Sequence, residues 1–421
     1  MNVSQYVIVT DGYFDGVNHH GDGPYSILVD EACPPESPGT KAGVIQEVVS
    51  GDLADTDRAG LATSVGRPIM TIRTSFVMPA LVESHCHTFL DGATLSFPKR
   101  SEYLKAPREA MLSVARSNLA ATLDAGITLI RDAGDIHGIN TEMKRELDND
   151  SGSRMEMLSA GIAIRKAKRY GSFMAREVVD SDDIVRVIRE VAPNAGQLKV
   201  LLTGIIDFEK GIVRGPPQFS LEETGRIVET ARELGLLTFT HCSGEEGLKI
   251  AVETGIDCIE HGFFMTRRIL DVMAEKGIAW TPTYSPVAFQ LCQPRLAGWN
   301  SETCDRLRGI LRNHDEHVAL AYELGVPVLA GSDAGSYGVA HGRGLIDELF
   351  HLRNAGVSVE QVLASATSLP RRLWGCSSAD IVKGNHANLL LLEESPFDCF
   401  RTLREPQLLY RVSSMSRSVA S

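Results

Sequence analysis

The sequence predicts an α/β fold: a (β/α)8 barrel of the TIM type with a small β domain built from both chain ends. Three observations carry this reading. From about residue 105, amphipathic stretches alternate with short β-branched or Leu-rich runs, separated by Gly or Asn stops, which is the rhythm of βα units. Eight runs read as strands, at 75–82, 128–132, 155–160, 198–203, 236–240, 258–260, 278–283 and 326–330, the number that closes such a barrel. Before residue 77 and after about residue 381 the rhythm is missing, and strand-like pieces at 6–10, 26–29, 44–49 and 387–392 lie between loops rich in Gly, Pro and Asp. The expected division is therefore 1–77 and 381–421 as the two parts of one β domain, with 78–380 as the barrel.

Between the strands, helical stretches at 221–234 and 245–254 stop at Gly235 and Gly255. Ser220 and Glu223 have the spacing of a capping box, which assigns Ser220 to a helix start rather than to chemistry. The segment 284–300 contains Phe289, Trp299 and two prolines without helical periodicity, and reads as a long loop able to act as a lid.

Composition narrows the function. A chain of 421 residues with 43% hydrophobic content can bury a large core. Its net charge of −12, without long Lys/Arg runs, argues against nucleic acid or an anionic membrane as partner, because both demand a basic surface. No apolar run approaches the roughly 18 residues of a membrane span, and the first residues lack a basic region followed by an apolar one. Eight scattered cysteines without a CxxC pair suit reduced thiols, so a cytoplasmic location is expected. The expected partner is a small-molecule substrate, and a homo-oligomer is compatible with the sequence.

The chemistry begins at His85 and His87. At the end of an extended run, alternate side chains share a face, so both imidazoles can reach one ion while Cys86 points away. The stretch before them, Val77-Met78-Pro79-Ala80-Leu81-Val82-Glu83-Ser84, resembles the first-strand signature of the amidohydrolase superfamily, with Ala80 in place of the usual Gly and Glu83 in place of the usual Asp. Lys199, in Gln197-Leu198-Lys199-Val200-Leu201-Leu202-Thr203-Gly204, resembles the fourth-strand lysine that carbon dioxide carboxylates. His241 and His261, each ending a strand-like run, resemble the histidines of strands five and six. Gly331-Ser332-Asp333 resembles the eighth-strand motif. The run Glu260-His261-Gly262 and the spacing from Lys199 to Thr203-Gly204 place the likeness in the branch of dipeptidase-like and imidazolonepropionase-like members.

That resemblance implies two divalent ions, zinc by preference for imidazole and carboxylate donors. His85, His87 and Asp333 would hold one and His241 and His261 the other, with carboxylated Lys199 and a hydroxide between them. Asp333 would carry the catalytic proton to the leaving nitrogen. The implied reaction is hydrolysis of an amide bond in a small N-acyl amino acid or dipeptide. A lactone, carbamate, organophosphate or cyclic C–N bond would be open to the same attack, and a non-catalytic structural relative is the remaining alternative. The cationic run Ile164-Arg165-Lys166-Ala167-Lys168-Arg169-Tyr170 reads as a loop, and Arg165, Arg169 and Tyr170 are expected to meet an anionic substrate. Tyr284, Tyr337, His341 and Arg343 are further expected pocket residues.

Overall fold

The computed structural model describes residues 5–30, 43–53, 69–150 and 153–408. Two parallel sheets stand at its centre. One runs Leu81–Cys86, Ile127–Asp132, Glu156–Ser159; the other runs Ala175–Val178, Ala163–Lys166, Leu198–Leu201, Thr238–Cys242, Cys258–His261, Ala279–Thr281. Helices alternate with these strands along the chain. Leu81–Cys86, Ile127–Asp132 and Leu198–Leu201 are buried at every residue, as expected of parallel strands covered on both faces.

The segment 327–334 lies between the outer strands of the two sheets. Trp280 donates its N–H to the Pro327 carbonyl at 2.9 Å and accepts from Leu329 at 2.8 Å; on the other side Ser84 donates to Ala330 at 3.0 Å and His87 to Ala334 at 2.8 Å. The strand expected at 326–330 is thus reduced to isolated bridges, Trp280 with Val328 and Cys86 with Ala334. Pro327 has no N–H to donate, and Asp333 (φ 56°) and Gly335 (φ 99°) turn the backbone out of the extended region.

The first expected strand, 75–82, is divided between two sheets. Its beginning belongs to Ile69–Pro79, which pairs in parallel with Gln5–Phe14 and antiparallel with Leu389–Leu392. The chain then enters Leu81–Cys86. An unbroken extended run carries no mark of a change of sheet, and Pro79, lacking a donor, is where the ladder ends. The outer sheet runs Gln407–Leu408, Leu389–Leu392, Ile69–Pro79, Gln5–Phe14, Tyr25–Asp30, Val44–Ser50, so segments from both ends of the sequence share it. Tyr6, Ile8, Ile27, Ile45, Ile72 and Leu391 form its own apolar core.

Two further expectations are corrected. Residues 284–300 are not a structureless lid: they form the helices Ser285–Cys292 and Pro294–Ala297, with Pro286 and Pro294 in the first turns, where a missing N–H costs nothing. The cationic run after the third strand begins as a strand, Ala163–Lys166, paired with Ala175–Val178 and, through Ile164, with Val200. The helix Leu221–Glu233 starts at Ser220 with both halves of the capping box formed. Among the described residues no helix is long and apolar enough to cross a membrane.

Candidate metal centre

His85, His87, Lys199, His241, His261 and Asp333 all line one cavity of about 220 Å3 at the carboxyl ends of the parallel strands. Register brings them together. Leu201 pairs with His241, His241 with Glu260, and Cys242 with His261, so three adjacent strands end at one level. Asp333 arrives from the opposite side, its N–H donating to the His85 carbonyl at 2.8 Å.

His85, His87 and Asp333 each offer a ligand atom within 4.8 Å of the others. The Asp333 Oδ1 lies 3.4 Å from His87 Nε2 and 3.7 Å from His85 Nε2. On the far side the rings of His241 and His261 are 4.5 Å apart, and His85 is 5.1 Å from His261. Lys199 is 1% exposed and its Nζ stands 4.8 Å over the Phe239 ring; among the described residues neither this Nζ nor His85 Nε2 has a hydrogen-bond partner. A buried amine and a buried imidazole nitrogen left without partners are costly unless another group completes them.

Burial sets the protonation of these groups. Desolvation, followed by the Lys199 charge, holds His87 and His241 down to about 3 and pushes His85 well below the ordinary imidazole value. His261 is lowered by burial and then by His241. All four rings are therefore neutral at pH 7, the state that binds a metal. Burial also lowers Lys199, towards the free amine, and raises Asp333, towards the acid, although Ser336 Oγ donates to its Oδ2 at 2.8 Å.

A surrounding layer fixes these orientations, and most of it escaped the sequence reading. His85 Nδ1 meets Glu260 Oε2 at 2.5 Å, and the other Glu260 oxygen accepts from Arg131 Nη2 at 2.7 Å. Arg131, a cation in a buried strand, carried the same signal as Lys199. His261 Nδ1 meets Thr283 Oγ1 at 2.7 Å, and the Trp280 indole donates to the His261 carbonyl at 3.0 Å. Glu83 accepts from Ser332 Oγ at 2.5 Å, Ser332 N at 2.8 Å and His85 N at 3.1 Å, tying the strand of His85 to the turn of Asp333. His261 (φ 68°), Thr283 (φ 51°) and Asp333 (φ 56°) hold the left-handed backbone that non-glycine residues avoid, a pattern that gathers at functional sites.

The upper wall is apolar, formed by Leu90, Phe173, Ile205, Phe208, Phe263 and Val287. Of the residues expected to meet substrate, Tyr170 lines the cavity with its ring 5.4 Å from His241. The others do not line it. Arg165 is turned to Glu177 at 2.6 Å and to the Arg169 carbonyl at 2.7 Å, and Arg169 donates to the Pro216 carbonyl. Tyr284 is packed between His314 and His351, and His341 Nε2 meets the Leu90 carbonyl at 3.2 Å. Tyr337 stacks on Phe97 and Arg343 pairs with Asp347.

Residues 76–412 match the model of the amidohydrolase family. The chain belongs to that family. An uncharacterized protein of Mycobacterium tuberculosis is 28% identical over 334 residues, 79% of this chain and 83% of its own. The ochratoxinase of Aspergillus niger is 22% identical over 371 residues, 81% and 75% of the two chains. A Xaa-Pro dipeptidase with bound methionine superposes with a TM-score of 0.77 at 21% identity, covering 96% of this chain and 97% of its own. The A. niger ochratoxinase structure gives 0.75 at 19%, covering 96% and 93%. This amidohydrolase family member therefore shares their fold.

Proposed function

We propose that this amidohydrolase family member cleaves an amide bond in a small molecule, using two divalent metal ions, zinc by preference. The two sheets and the 327–334 segment are read as one (β/α)8 barrel whose C-terminal face carries the site. His85, His87 and Asp333 would hold one ion and His241 and His261 the other, with Lys199 carboxylated between them. The observation that carries this reading is the buried Lys199 Nζ, without a hydrogen bond among the described residues, beside neutral imidazoles that line the same cavity. Burial favours the free amine, which is the form that adds to carbon dioxide, and the resulting carbamate would add anionic oxygens to the carboxylate of Asp333.

When bound, the ions supply Lewis acidity, polarising the scissile carbonyl and lowering the pKa of water from about 15.7 towards neutrality. The chain's own residues do the rest. Asp333, raised by burial, takes a proton at Oδ1 as water adds to the carbonyl and returns it to the leaving nitrogen, while Ser336 holds Oδ2. Glu260 and Thr283 keep the Nε2 atoms of His85 and His261 aimed inward by holding Nδ1. Tyr170, Phe173 and Phe263 exclude bulk water.

The name of one relative, a Xaa-Pro dipeptidase, supports hydrolysis of an amide C–N bond, and an ochratoxinase and a molinate hydrolase share the fold. The apolar wall favours an uncharged, bulky substituent near the scissile bond over the anionic group expected from the cationic run. Metal analysis tests the scheme, together with carbon-13 NMR of protein grown in labelled bicarbonate. Two ions per chain and a carbamate resonance lost in Lys199→Ala are expected; full activity with fewer than about one ion per chain would sink it.

A further inference from the structure

A second cavity, of about 530 Å3, adjoins the catalytic one. Leu90, Phe173 and Ile205 line both, so the partition between them is one side chain thick. Ile205 is 37% exposed, which leaves its side chain room to change rotamer. The outer wall comes from the helix Phe97–Tyr103 and its cap, through Phe97, Tyr103 and Leu104.

The polar groups of this second cavity are already engaged. Arg100 donates to the carbonyls of Asp91 and, at 2.9 Å, Gly335; the Tyr103 hydroxyl donates to the Phe89 carbonyl. Asp91 accepts from Ala93 N at 2.9 Å and from Thr94 Oγ1 at 2.5 Å. What remains to meet a ligand is hydrocarbon and aromatic surface, with Lys99 exposed at the rim. Size points the same way. Small-molecule sites span about 300 to 1,000 Å3; the catalytic cavity alone falls below that range and the two together fall within it.

We propose that the second cavity receives a bulky, uncharged aromatic or branched hydrocarbon group of the substrate whose scissile carbonyl lies over the His85, Lys199 and Asp333 cluster. This rests on the amide-hydrolase reading above. Leu90, Phe173 and Ile205 form the threshold the group crosses, and the discrimination between substrates lies with Phe97, Tyr103 and Leu104, which touch only that group.

The test separates the subsite from the reaction. Equilibrium dialysis with naphthylmethanol measures the cavity without any hydrolysis. The wild type should bind it, Leu104→Trp should raise Kd by about tenfold or more by filling the space, and Phe97→Ala, at an exposed position, should weaken binding severalfold even if the larger substitution folds poorly. In parallel, N-acetyl and N-naphthoyl derivatives of one amino acid are compared as substrates. Leu104→Trp should raise KM for the naphthoyl compound alone. Equal effects on both compounds, or naphthylmethanol binding that is absent from the wild type or unchanged in both variants, overturn the proposal. Binding that responds to both substitutions while no amide is cleaved supports the subsite and removes only the reaction.

Discussion

Glu260 links the metal cluster to a buried cation, and removing that cation should cost stability. Arg131 is 1% exposed, donates to Glu260 Oε1 and to the Ser84 carbonyl, each at 2.7 Å, and lies 4.4 Å over the Phe239 ring. Arg131→Met keeps much of the side-chain volume but strands the Glu260 carboxylate, itself 0% exposed. Loss of one partner from a buried pair costs about 3–5 kcal/mol. For 421 residues at about 2.1 cal/mol/K each, the unfolding entropy near the midpoint is about 0.9 kcal/mol/K, so Tm should fall by about 3–6 °C. Slow-scan calorimetry reads this directly, and denaturant midpoints give a second measure. The double variant Arg131→Met/Glu260→Gln should be less destabilised than the two single losses added, because no charge is then left unpaired. A single-variant Tm within about 1 °C of wild type would refute the view that the pair is a stabilising one. Glu260→Gln should also loosen His85, lowering metal affinity by about 10–100-fold in competition with a chelator.

Gly331→Ala would place a Cβ 2.5 Å from Thr281 Cγ2 and 2.8 Å from His85 N. A loss of about 1–3 kcal/mol is expected, with reduced metal content in the purified protein. Glu348 accepts from the N–H groups of Tyr284 and Ser285 and from Ser285 Oγ at 2.8–3.0 Å, holding the helix that carries Val287 to the cavity. Burial raises its pKa from 4.5 to about 8. A raised carboxyl contributes stability that is complete below 4.5 and is lost as pH rises through about 8, so the advantage of wild type over Glu348→Gln should shrink across that window in denaturation midpoints. Arg165 and Arg169 face away from the cavity, and replacing both with Met should leave the ratio of KM for anionic and neutral substrates unchanged. A selective rise for anionic substrates would return those residues to the site.

Much of the candidate site was legible because its histidines and Asp333 follow short apolar runs, and strand ends on one face of parallel sheets converge. Lys199 was informative for a physical reason: an ammonium in a buried strand demands an explanation. Arg131 sat in the same situation and its partner was unreadable, since Glu260 lies 129 positions away. The substrate side was the least legible. A run of cations says nothing about direction, and alternation within Ala163–Lys166 together with Glu177 and Pro216 turned Arg165 and Arg169 elsewhere.

The sequence by itself determined the order of βα units, the helix starts and stops at Ser220 and Gly255, and the residue types available for metal chemistry, because periodicity, capping and donor chemistry are local properties. Only the tertiary structure decided where Ile69–Pro79 leaves off and Leu81–Cys86 begins, that 285–292 and 294–297 are helical, and that the cavity above the cluster has an apolar wall and adjoins a second cavity across Leu90, Phe173 and Ile205. Those depend on which distant segments supply the neighbours, and hydrogen-bond register and packing set them only once the chain is folded.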